Sequence, residues 1–211
     1  MSPPSGTPSA QERVNLLFAV TQEQLRKSFD DFESKGENNQ QVSVGEKQTL
    51  TVVARGSNDT ESLKLTVMFL PPIEQAGDKG YQFGLVAKSR TPDDRKDFEN
   101  TSLTTIMNNR NQVTFRVWLD QPKDPNAAIP PISYQLLDKD SQRVNPTTQP
   151  ASYIFSGKDL IGDVALAEDG QELIFPLYRG VTPNLTDKMD KMTLVVKIDD
   201  TERNLEFRLK L

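Results

Sequence analysis

The chain has 211 residues, of which 35% are hydrophobic and 26% are charged, and its formal net charge is −5. Because surfaces that bind nucleic acids or anionic membranes need a basic face, this acidic balance argues against both kinds of partner. The sequence contains no His and no Cys, which excludes disulfides, zinc–thiolate sites, imidazole-ligated metals and a Ser-His-Asp triad.

The first ten residues are rich in Pro and Ser, and such a composition has too little apolar surface to fold. Residues 1–10 are therefore predicted to form a disordered tail. Two interpretations of this tail stay open: an ordinary disordered N-terminus, or the spacer of an exported, membrane-anchored protein whose signal has been removed. The apolar run at residues 16–20 is too short to span a membrane and lacks the basic region that opens a signal peptide.

Apolar residues recur at three- and four-residue intervals over residues 11–32, with charged residues between them. This spacing is typical of an amphipathic helix. Ser9, followed by Glu12 three residues later, matches the spacing of a capping box. We predict one N-terminal helix, over residues 11–35.

Beyond the helix, apolar and polar residues alternate in many short segments, as in β-strands that bury one face. In the most regular segment, Val113, Phe115, Val117 and Leu119 lie on the same face. The predicted strands are residues 48–54, 63–70, 81–87, 103–107, 113–119, 132–137, 152–155, 173–178, 192–198 and 205–211.

The connections between these strands are rich in Pro, Asn and charged residues. Residues 71–72, both Pro, end a strand, and the charged residues 91–100 are predicted to be a solvated loop. Residues 108–111 suit a hairpin loop because Asn tolerates positive φ. Residues 122–131 are either a crossing between two sheets or a boundary between subdomains, and together with Pro176 they mark the predicted sheet edges.

These patterns predict a mainly β fold, an Ig-like β-sandwich of about eight to ten strands with one N-terminal amphipathic helix. Residues 42–211 form the predicted sandwich domain, with 121–131 as a candidate sub-boundary. The expected core residues are Leu50, Val52, Leu65, Val67, Phe83, Phe115, Val117, Leu194, Val196, Leu205 and Phe207.

Trp118 and Arg116 point away from the face that carries Phe115 and Val117. An outward Trp is either a binding anchor for protein or carbohydrate or a residue covered by a second layer, for which the N-terminal helix is the spare apolar surface. Trp118 with Arg116 is the candidate binding site. Residues 138–141 lack the glycine and the distal Glu of a calcium loop, and we interpret them as a turn.

No motif in the sequence supports catalysis, metal binding or a cofactor, so we predict a protein that is not an enzyme. The predicted function is that of an envelope-associated binding or structural module, exported to the periplasm or cell surface. It would contact protein or polysaccharide through a sheet edge or loops, and a membrane only through its N-terminal tether. The alternatives are a subunit of a larger assembly, such as an appendage or phage component, with a cytoplasmic location, and a carboxylate-based glycoside hydrolase.

Overall fold

The computed structural model describes residues 18–56, 59–138, 140–148, 155–156, 160–161, 164–165, 172–176 and 191–208. The predicted tail at residues 1–10 lies outside these ranges. The first part of the predicted helix, up to residue 17, also lies outside them.

Three α-helices occur in the described part of the chain. They are α1 (Gln22–Glu37), α2 (Pro72–Val86) and α3 (Pro92–Asn108). Both α1 and α3 begin with a capping box, formed by Thr21 with Gln24 and by Thr91 with Asp94. In each box two backbone N–H groups that a helix leaves unsatisfied gain side-chain acceptors. A short 3-10 turn at Ala87–Ser89 follows α2.

The strands form two main sheets. They are β1 (Glu46–Arg55), β2 (Thr60–Phe69), β3 (Gln112–Asp120), β4 (Ile132–Leu137), β5 (Arg143–Val144), β6 (Phe155–Ser156), β7 (Leu160–Ile161), β8 (Val164–Ala165), β9 (Glu172–Pro176), β10 (Lys191–Ile198) and β11 (Thr201–Arg208). Sheet A has the antiparallel order β1-β2-β3-β9, and β6 adds parallel to the end of β3. Sheet B has the antiparallel order β11-β10-β4-β5, and β7 and β8 form a separate two-stranded sheet.

The inner faces of sheets A and B pack against each other and form the main core. Its buried residues are Phe18, Val52, Ala54, Leu63, Leu65, Val67, Phe69, Val113, Phe115, Val117, Leu119, Tyr134, Leu136, Phe175, Met192, Leu194, Val196, Leu205 and Phe207. Of the predicted core residues, Leu50 is only partly buried against this cluster. Phe83 is buried in a different place, among the helices.

The helices cover the outer face of sheet A and add a layer beyond the sandwich. Met68 and Trp118 of the sheet cluster with Tyr81 of α2. A further core of Val20, Leu25, Phe29, Ala76, Phe83, Leu103 and Ile106 lies among the helices. Phe18, just before α1, belongs instead to the sandwich core, with its ring centroid 6.3 Å from that of Phe69.

The prediction of a mainly β, Ig-like sandwich with one helix is therefore wrong, because the described part of the chain is mixed α/β, with three α-helices and two main sheets that are largely antiparallel. The strand predicted at residues 81–87 is largely the second half of α2. Tyr81 and Phe83 are two residues apart and both are buried, as on one face of a strand. In the helix, however, Tyr81 faces sheet A and Phe83 faces the other helices. A helix buried on two sides shows no single apolar stripe.

The region predicted as a charged loop, a strand at residues 103–107 and a hairpin loop at 108–111 is also helical for most of its length. All of residues 92–108 form α3, and Asn109 is its C-cap. Charged residues fill the first turns, whereas the buried apolar residues Leu103 and Ile106 lie near the end. The apolar signal is therefore too short to separate a helix from a strand.

Helices α1 and α2 approach each other so closely that backbone packs on backbone. A Cβ atom built on Gly80 would overlap the carbonyl group of Phe29, and one built on Gly84 would overlap the carbonyl of Glu33. From the α1 side, a Cβ on Gly36 would lie 2.5 Å from the carbonyl oxygen of Tyr81. Glycine is therefore required along this contact, because no larger residue leaves room for the facing helix.

Gly80→Ala and Gly77→Ala are the same substitution in α2, but their effects on the free energy of unfolding should differ in sign or size. Alanine favours an isolated helix by about 1 kcal/mol, but at position 80 the new methyl meets backbone and should destabilise the fold by about 1–3 kcal/mol. At Gly77 the nearest atoms belong to the side chains of Phe32 and Ser28, which can shift. Urea unfolding of both variants measures the difference, and equal effects would contradict the close backbone contact.

Candidate functional site

The two residues predicted from the sequence as a binding site, Trp118 and Arg116, are both buried. Trp118 is 6% exposed and Arg116 is 1% exposed. Helix α2 covers them, and Trp118 shares its cluster with Tyr81. A ligand could reach either side chain only if α2 moved away from sheet A.

Arg116 instead joins β3 to α2 through a buried ion pair with Asp78. Its Nη2 donates to Oδ2 of Asp78 at 2.6 Å, and its Nη1 donates to Oδ1 at 3.1 Å. The two side chains are 2% and 1% exposed. The sequence does not reveal this partner, because Asp78 lies between Gly77 and Gly80 and resembles a turn residue.

Asp78→Ala should destabilise the fold by about 3–5 kcal/mol, because it leaves the Arg116 charge buried without its carboxylate. The double variant Asp78→Ala with Arg116→Met removes both charges and should recover much of the loss. Denaturant unfolding of the two variants measures the coupling. Additive losses would show that the pair does not act as a unit.

A second charged cluster joins α1 to α3. Arg95 donates to Glu33 at 2.6 Å, to Asp30 at 2.6 Å and to Glu99 at 2.7 Å, and Arg26 donates to Glu99 at 2.7 Å. The hydrogen bond to Glu33 contributes most to raising the pKa of the Arg95 guanidinium above its usual value.

This cluster borders a polar cleft of about 490 Å³, but its carboxylates face an arginine. A glycoside hydrolase needs its two carboxylates free on either side of the sugar bond, and here the Arg95 guanidinium occupies the space between them.

No group of acidic side chains in the described ranges is placed to hold a metal ion. At Asp138, the carboxylate accepts the N–H groups of Asp140 and Gln142, which closes a turn.

The most accessible candidate site is the free edge of β1. Arg55 and Ala128 exchange two backbone hydrogen bonds, of 2.9 and 2.8 Å, on the side of β1 that faces away from β2. Alternate residues of a strand direct their N–H and C=O groups to the same side, so those of Thr51 and Val53 also point to this free edge. Consistently, Lys64, opposite Thr51, directs its N–H away from β1 to Asp120.

Both ends of this edge are closed. Near the start of β1, the side-chain amide of Gln48 donates to the carbonyl of Glu206 at 3.2 Å. The N–H of Arg208 donates to the Glu46 carboxylate at 2.8 Å, so β1 and β11 meet there. At the other end Ala128 occupies the edge, and residues 49–54 stay open between the two closures. No described residue bonds to the backbone of Thr51 or Val53 on this side.

An open cleft of about 740 Å³ runs along this edge, and we call it the β1 cleft. Its lining residues are Thr49, Leu50, Thr51, Val53, Arg55, Ala128, Ile129, Pro130, Pro131, Ile198, Asp199, Thr201 and Arg203. Val53 is 49% exposed and is one of the two large apolar residues that stand out on the described surface. Residues 122–131, which the sequence left as a crossing or a boundary, connect the two sheets and supply one wall.

The charges on the β1 cleft are mainly positive. Its charged lining residues are Arg55, Arg203 and Asp199. Neither arginine forms an ion pair within the described part of the chain. Glu202, the neighbour of Arg203, bonds instead to Arg143 through two contacts of 2.6 and 2.8 Å. That pair commits the carboxylate to an arginine of β5 and lowers the pKa of Glu202 below its ordinary value.

Glu202→Gln should reduce stability in a pH-dependent way. A carboxylate whose pKa is lower in the folded state stabilises the fold above its ordinary pKa, here 4.5, and loses that contribution as the pH falls through the folded value. The gap between wild type and variant should therefore be full near neutral pH and shrink in acid. Urea unfolding across this pH range measures the gap, and Arg143→Gln should show the same pH dependence. A gap that persists in acid would contradict the stabilising role of the Glu202–Arg143 ion pair.

The sequence did not single out the β1 cleft. Residues 49–54 contain no charge and no Pro, whereas exposed edge strands usually carry such protection, so their composition resembles that of a central strand and gives no local signal of an edge. The sequence placed the sheet edges at Pro176 and at residues 122–131. Pro176 ends β9 opposite Gln112.

Comparison of the chain with models of protein families, with curated proteins and with solved structures gives no match. Among the described helices, none combines the length and apolarity needed to cross a membrane.

Proposed function

We propose that this protein is a non-catalytic binding module that takes up an extended segment of a partner protein along the free edge of β1. The observation that carries this proposal is the open row of backbone groups at Thr51 and Val53 beside the β1 cleft. An extended peptide can add to such an edge as a new strand. Its backbone hydrogen bonds then supply affinity, and its alternate side chains supply specificity.

The composition of the edge supports this function. Sheet proteins usually protect a free edge with Lys, Pro or a bulge, because an unprotected edge pairs with other chains. Residues 49–54 carry none of these residue types, and β1 pairs with β2 in unbroken register from Glu46 to Arg55. An edge left open over these residues, and closed on both sides of them, is suited to a ligand.

The same cleft favours a protein partner over a polysaccharide. Sugar-binding sites commonly present an aromatic ring as an anchor, and no aromatic residue lines the β1 cleft within the described chain. The exported, envelope-associated location predicted from the N-terminal tail stays a prediction. So does the alternative of a subunit in an appendage or phage assembly.

Thr51→Pro tests the proposal because it removes one N–H from the free edge and leaves the pairing with β2 untouched. Proline is tolerated at such edge positions. Random octapeptides displayed on phage are selected against the immobilised wild-type chain, and the enriched peptides are then titrated by fluorescence anisotropy. We expect these peptides to bind wild type and the matched control Thr51→Val, which keeps the N–H, and to bind Thr51→Pro at least about ten-fold more weakly.

Far-UV circular dichroism and thermal unfolding establish that each variant is folded. If Thr51→Pro does not fold, Val53→Pro removes the next N–H on the same edge and replaces it. Enriched peptides that bind the proline variants as well as wild type would overturn the proposal. A selection that enriches no peptide would also overturn it.

A further inference from the structure

We infer that the β1 cleft selects a short segment of about six residues that carries an acidic side chain for the arginines of the cleft lining, Arg55 and Arg203. This inference rests on the proposed function, since it specifies the partner of the same site. The observations that support it are the two closures of the edge and the charge of the cleft lining.

The closures set the length of the segment. Among the described residues none pairs with residues 49–54 on this side, the Ala128 bridge blocks the edge at Arg55, and the contacts of Gln48 with β11 block the other end. At about 3.3 Å per residue, six paired residues span about 20 Å. A longer partner must therefore leave the sheet at both ends of the cleft.

These closures also disfavour a second copy of the chain as the occupant. Two β1 edges aligned antiparallel would bring the start of each strand, at Glu46, against the Ala128 bridge of the other. A slender segment that carries no closures of its own avoids this conflict.

The charge of the cleft sets the preference for acid. The lining contains two arginines, Arg55 and Arg203, and one carboxylate, that of Asp199. Glu202, which follows Thr201 on the same strand, is held by Arg143. The cleft is thus locally basic on a chain whose net charge is −5. Guanidinium groups bind carboxylates through paired hydrogen bonds, so an Asp or Glu side chain in the segment complements the cleft lining.

The double charge reversal Arg55→Glu with Arg203→Glu tests the inference on the peptides selected above. Peptides enriched on wild type should carry Asp or Glu, and their affinity for the reversed variant should fall at least about ten-fold. Replacing that acid by Lys in the peptide should restore binding to the reversed variant. The matched control is Lys88→Glu with Arg90→Glu, which changes the net charge equally at exposed residues after α2 and should leave affinity unchanged.

The outcomes separate this inference from the proposed function. The inference would be overturned, with strand addition still supported, by peptides whose binding the proline variants weaken but which show no preference for Asp or Glu. The same holds for peptides that lose equal affinity for both charge-reversed variants. Wild-type protein that dimerises with concentration in sedimentation, and Thr51→Pro that stays monomeric, would identify a second copy as the occupant and overturn the inference. Peptides insensitive to Thr51→Pro would overturn both.

Discussion

The backbone contact between α1 and α2 is the constraint on which the helical layer depends. Gly80 and Gly84 let α2 lie directly against the carbonyl groups of Phe29 and Glu33, and any side chain there would push the helices apart. Because α2 contacts α1 through glycines, the larger side chains of α2 lie on its other faces, where they make two further contacts. It thus packs on sheet A and on the neighbouring helices at once, and it brings Asp78 over Arg116.

The position of this layer decides which part of sheet A stays accessible. The helices cover the outer face at Thr66 and Met68, which are buried, whereas Lys64 and Val53 toward the other end are exposed. The β1 cleft lies at that uncovered end. Its main wall is a strand paired along its whole length to β2, so the hydrogen-bonding groups of the edge are held by a rigid scaffold before any ligand arrives.

The sequence predicted the strands in which apolar and polar residues alternate, and it missed two helices. Strands such as β1 and β11 bury alternate residues against a single core, and β3 keeps the sequence alternation although both of its faces are buried, so a period of two is visible. Helix α2 is buried on two sides and rich in glycine, and α3 concentrates its apolar residues in its second half. The open edge of β1 could not be predicted from the local sequence, because which strand lies at the edge of a sheet depends on pairing between distant segments.

One short stretch of chain links the two main cores of the protein. Phe18 inserts its ring beside Phe69 in the sandwich, while Val20, only two residues later, belongs to the helical core. Helix α1 therefore cannot swing away without extracting an aromatic ring from between the sheets. Local opening of the helical layer at α1 therefore carries part of the energetic cost of opening the sandwich.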